Sequence, residues 1–86
     1  MARVLSVHRA IIAAADRRAY VQRLAARRDQ YQRAGCRFWV FEEASLPGAY
    51  IEFTEAPDAA TLTAAHAASA ERPLDPARVY NEVEMS

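Results

Sequence analysis

The sequence predicts an α+β domain whose elements run β-α-β-β-α-β, and three features carry that reading. Apolar and polar residues alternate with a period of two near both ends, over 3–9 and 78–84. Tyr20, Leu24 and Tyr31 form a stripe at helical spacing between Asp16 and Gly35. Phe38, Trp39, Val40 and Phe41 then follow one another closely after that glycine, the mark of a strand with both faces buried.

In the first strand Leu5 and Val7 point one way, and Val4, Ser6 and His8 the other. Residues 10–15 lead into the first helix. Asp16 suits its N-cap or first turn and Gly35 the position past its C-terminal cap, a span of about five turns. Arg18, Gln22, Asp29 and Arg33 lie opposite the apolar stripe, so this helix rests on something apolar. Arg27 falls inside the stripe and is expected to snorkel past its edge rather than to bind a buried anion. The second strand spans 37–43, Leu46-Pro47-Gly48 is a turn, and 49–54 is the third strand, which closes a hairpin. Pro57 in a first-turn position, with Asp58 beside it, starts a second helix that runs through Leu62 and His66 to about residue 70. Pro73 and Pro76 break the chain before the fourth strand. Nothing in the sequence resembles a linker or a repeat, so residues 1–86 are read as one domain.

This order is the split βαβ, or ferredoxin-like, pattern: an antiparallel sheet with both helices on one face. Leu5, Val7, Ile51, Phe53, Val79 and Val83 are expected to face the helices. The other face then carries Val4, Ser6, His8, Tyr50, Glu52 and Thr54, with Tyr80, Glu82 and Glu84 from the last strand. The second strand conflicts with a solvated open face. Whichever of Trp39/Phe41 and Phe38/Val40 meets the helices, the other pair lies outside. A chain of 86 residues buries only roughly 60–65% of its unfolded surface, so a second copy is the expected cover and the chain is expected to be a homodimer through its sheet faces.

Composition narrows the function classes. The 52% hydrophobic content includes 20 alanines, which favour helix but bury little area, so the few large apolar residues are structural. Eleven basic and eleven acidic residues cancel, which argues against nucleic-acid and anionic-membrane partners. The basic residues are all arginine, the codon usage of a GC-rich bacterial genome. Cys36 stands alone, and the N-terminal apolar run is broken by Ser6, His8 and Arg9, so a reducing cytoplasm is the expected compartment. No stretch approaches the ~20 apolar residues of a membrane span.

Gly35-Cys36 leads into an aromatic strand ending Val40-Phe41-Glu42-Glu43. Pro47-Gly48, Tyr50-Ile51-Glu52-Phe53-Thr54-Glu55 and a helix bearing Ala59 and His66 follow. Over roughly residues 35–70 this resembles the dimeric α+β barrel superfamily typified by the antibiotic biosynthesis monooxygenases. The resemblance implies a dimeric barrel that binds a small aromatic or otherwise apolar molecule, with cofactor-free oxygenase or isomerase chemistry. The contrasting expectation is a non-enzymatic dimerisation or ligand-sensing module.

Three residues are candidates for chemistry. His8 is expected beside Glu52 of the third strand, a pairing that suits proton transfer, although a polar pair at a barrel mouth would read the same. His66 shares a helix face with Leu62 and points to the sheet, where a hydrogen-bonded core histidine is the plainer role. Trp39, Tyr50 and Tyr80 are candidates to contact a ligand, against the plainer role of interface anchors. Cys36 follows a helix C-terminus, whose dipole opposes a thiolate, so it is not read as a nucleophile. Two histidines without ligand spacing predict no metal, and only two glycines, Gly35 and Gly48, predict no phosphate-binding loop and no cofactor.

Overall fold

The computed structural model describes residues 3–69 and 73–85. Four strands form one antiparallel sheet: β1 (Val4–Ile11), β2 (Arg37–Glu42), β3 (Ala49–Ala56) and β4 (Val79–Asn81), in the order β2-β3-β1-β4. Two helices, α1 (Arg17–Arg33) and α2 (Ala59–Ala67), cover one face. The α+β, ferredoxin-like arrangement read from the sequence is therefore present.

Each boundary has a local cause. A 3-10 turn, Ala14–Asp16, feeds directly into α1, so the Asp16 side chain makes no capping bond. At the other end Gly35 has φ +83°, Cys36 N–H donates to Tyr31 C=O at 2.9 Å and Gly35 N–H to Gln32 C=O at 3.1 Å. These are the paired bonds of a Schellman stop, which needs a residue free of Cβ strain. Gly48, with φ +94°, ends the β2–β3 turn where a Cβ would lie 2.8 Å from the carbonyl oxygen of Ile12. Asp58, rather than Pro57, begins α2, because its carboxylate accepts the Thr61 N–H at 2.7 Å. The helix ends at Ala67 with Ala68 as its C-cap, short of the expected end near residue 70: Ala68 and Ser69 are not helical, and residue 70 lies outside the described residues.

β4 is shorter than the expected 78–84. It pairs Asn81 with Val4, and just past this pair the Glu82 N–H donates to the Arg3 carbonyl at 2.8 Å. Val83 and Met85 lie beyond that pairing and are exposed. β4 also stops opposite Ser6, so that among the described residues no strand pairs with β1 on that side from Val7 onward.

The faces of β1 and β3 are reversed from expectation. Val4, Ser6, Tyr50, Glu52, Thr54 and Ala56 lie buried under the helices with Phe38, while Leu5, Val7, Ile51 and Phe53 occupy the open face. Trp39 and Phe41 join them there, since each is the cross-strand partner of an open-face residue. In β4 the expected faces hold: Val79 packs on the core and Tyr80 opposes Leu5 on the open side. The cause of the reversal is α1. Its buried residues are Tyr20, Arg27 and Tyr31, so the helix presents rings tipped with polar groups and needs polar partners on the sheet.

Candidate functional site

Two linked polar clusters lie between the sheet and the helices. In the first, the Glu52 carboxylate receives Arg27 Nη1 at 2.8 Å on one oxygen and the Tyr20 hydroxyl at 2.8 Å on the other. Arg27 and Glu52 are 4% and 3% exposed, so this is a fully desolvated ion pair. Arg27 does not snorkel as expected: the buried anion it meets is a carboxylate of its own chain. Tyr50 packs on Tyr20 with ring centroids 4.8 Å apart, and its hydroxyl accepts from Arg17 Nε at 3.0 Å.

The second cluster centres on His66. Its Nε2 lies 2.8 Å from Ser6 Oγ and its Nδ1 3.4 Å from Tyr31 Oη, all three residues being buried. Burial holds the Tyr31 phenol above its ordinary pKa, against the opposing hydrogen bonds from the Ser69 and Thr54 side chains. A protonated phenol donates to Nδ1, which makes Nε2 the N–H of the ring and directs it at Ser6. In the other tautomer Ser6 donates to Nε2 and the ring donates to Tyr31. The relay Tyr31–His66–Ser6 can thus carry a proton in either direction. Tyr31 also feels the charges of Arg27 and Glu52, so the two clusters are electrostatically continuous. Among the described residues no buried side-chain nitrogen or oxygen lacks a hydrogen-bond partner, as a buried network requires.

The relay reaches the surface at a cavity of about 330 Å³. This cavity lies beside the stretch of β1 that β4 leaves uncovered, and the segment 73–78 forms its outer wall. Ser6, His8 and His66 line it together with the apolar residues Val7, Ile51 and Leu74. Arg9, Arg78 and Asp75 complete its polar lining.

The sequence-derived candidates are therefore divided. His8 and His66 converge on one cavity. Glu52 is the cross-strand neighbour of His8, as expected, but its carboxylate is turned to Arg27 and Tyr20. Tyr50 lies under α1 rather than in a space between subunits. Trp39 and Tyr80 flank a separate hollow of about 220 Å³ on the open face, above Leu5 and Glu55. There Trp39 stacks on Phe53 at 5.8 Å, Phe41 meets the same ring edge-on at 5.9 Å, and Phe41 stays 61% exposed. Ion pairs Arg3–Glu55, Arg3–Glu82 and Arg9–Glu43 rim that surface.

Sequence reasoning missed Ser6 and Tyr31 as members of the site. Tyr31 carried a signal, since it stands four residues after Arg27 on the same helical stripe; Ser6 became visible only with the register of β1. Among the described residues no group of three or more His, Cys, Asp or Glu side chains could hold a metal, and no helix is long and apolar enough to cross a membrane. Comparison with protein-family models, with curated proteins and with solved structures gave no match, so the likeness to the antibiotic biosynthesis monooxygenases rests on the residues named above.

Proposed function

We propose that this chain is a small homodimeric α+β barrel protein that binds a small aromatic or otherwise apolar molecule and acts on it by cofactor-free oxygenase or isomerase-type chemistry. One observation carries the small-molecule reading. Ser6 and His66, 2.8 Å apart and buried, open with His8 onto one cavity whose remaining walls include Val7, Ile51 and Leu74. Apolar walls with a few convergent polar groups are the usual form of a ligand site. His66 would move the proton, Ser6 would orient or relay it, and Tyr31 would act as a positioning residue through Nδ1. The oxygenase or isomerase class comes from the resemblance, and both chemistries begin by taking a proton from a carbon or a hydroxyl.

The uncovered apolar face supports the dimer. Leu5, Ile51, Phe53, Trp39 and Phe41 form one contiguous surface bordered by charges of both signs, which suits a second copy of the same face. Glu52 favours a second reading, a non-enzymatic ligand-sensing or dimerisation module, because both of its oxygens serve the core rather than the cavity.

Oxygen uptake and solvent proton exchange with a panel of phenols and hydroquinones separate the two readings. The enzymatic reading expects turnover by the wild type and a loss of roughly 10²–10⁴-fold in His66→Gln. Absence of turnover across the panel, with ligand binding retained, would favour the sensing module. Sedimentation of a stable monomer at micromolar concentration would remove the dimer.

A further inference from the structure

The proposed small-molecule reading leaves the ligand's polar end unassigned, and the charge of the cavity wall supplies it. The chain as a whole is neutral, yet two arginines, Arg9 and Arg78, and both of its histidines line this one cavity. Asp75 is the sole carboxylate among the described lining residues, and its Oδ1 accepts the Ala77 N–H at 3.0 Å. Arg9 reaches outward to Glu43, with Nη2 and Oε2 3.0 Å apart. Arg78 has no ion pair among the described residues. It sits on the 3-10 turn Pro76–Arg78, exposed and on the lining of the cavity.

We infer that the cavity takes a monocarboxylate with an apolar or aromatic body, its carboxylate held by Arg78. Val7, Ile51 and Leu74 supply apolar lining for the body, and the Ser6–His66 pair lines the same cavity. The arrangement has a chemical logic. A guanidinium recognises a carboxylate by charge-assisted hydrogen bonds, and Arg78 brings one to the same cavity as the proton-transferring His66. A second anionic group on the ligand would have to approach Asp75, so one carboxylate fits and two do not. The volume lies at the small end of the ligand-pocket range of about 300–1,000 Å³, which suits a single ring with a short acid side chain.

Phenylacetate and phenylacetamide are matched probes, alike in shape and different in charge. Isothermal titration calorimetry on the full chain should show phenylacetate binding about tenfold or more tightly than the amide, the worth of a charge-assisted hydrogen bond. In Arg78→Gln that preference should disappear while the thermal melt stays unchanged, because Arg78 is exposed and on a short turn. Equal binding of the two probes by the wild type would overturn the carboxylate assignment and leave the small-molecule reading standing. Binding of neither would overturn both. A preference that survives in Arg78→Gln would overturn Arg78 as the anchor.

Discussion

Replacing Arg27 by Ala should be among the most damaging single changes in this chain. It would leave the Glu52 carboxylate, 3% exposed, with the Tyr20 hydroxyl as its remaining partner of the two that hold its oxygens. Breaking a buried ion pair from one side costs roughly 3–5 kcal/mol, because the surviving charge has no water to return to. Total stability for a domain of this size is of the order of 5–15 kcal/mol, so the variant should stand at or near the edge of folding. Glu52→Gln should be costly for the mirror-image reason, since it strands the Arg27 guanidinium. The double variant Arg27→Met with Glu52→Gln removes both charges and keeps an amide oxygen for Tyr20. It should recover at least half of the single-variant loss, as buried pairs replaced together often do. Urea unfolding of the wild type, Arg27→Met, Glu52→Gln and the double variant measures the coupling directly. A loss below about 1 kcal/mol in Arg27→Ala, or a coupling near zero, would mean that Glu52 is hydrated and that the faces of β3 are not as described.

Further outcomes follow from the same register. Leu62→Ala should cost roughly 2–5 kcal/mol, since Leu62 is fully buried, whereas Phe53→Ala on the open face should chiefly weaken the proposed dimer; urea melts and sedimentation on both variants test the contrast. The Tyr31 phenol titrates above its usual 10.0 because it is buried. Its contribution to stability is therefore complete below pH 10 and falls as the pH rises towards the folded-state value, and Tyr31→Phe should flatten that alkaline loss in urea melts. Glu82 is held down to about 2 by hydrogen bonds from Arg3. Its small, exposed contribution should be present above the ordinary carboxylate value of 4.5 and fade as the pH falls towards 2, a loss that high salt should also produce. Burial pushes the Cys36 thiol up, so native protein should resist Ellman's reagent at pH 8 and react fully in denaturant.

The element order was legible because its signals are local. Gly35 stops α1, Asp58 caps α2, and the Phe38–Phe41 run marks a strand with apolar residues on both faces. The facing of β1 and β3 was not legible, because both alternating sets are half polar. Hydrophobicity alone puts Leu5, Val7, Ile51 and Phe53 inside; what decides is the partner each set finds. Arg27 on the helix stripe was the clue. An arginine and two tyrosines on the buried side of α1 call for carboxylate and hydroxyl partners, and Glu52 and Thr54 supply them. Of the candidate site, His8 and His66 could be picked out as residue types, but their convergence depends on β4 ending at Ser6 and on residues 73–78 covering what it leaves. That is a matter of length and register that no single segment encodes.

The chain holds two histidines and one tryptophan, so side-chain NMR can ask where a ligand goes with little ambiguity. Titrating single-ring aromatic fragments while following the His8 and His66 imidazoles and the Trp39 indole tests the central claim, that the cavity at Ser6 and His66 is the binding site. The account predicts that the His66 signals shift first and saturably, with His8, and that the Trp39 indole responds weakly or not at all. Saturable shifts of Trp39 with both imidazoles unmoved would place the ligand in the hollow of the open face and contradict the account.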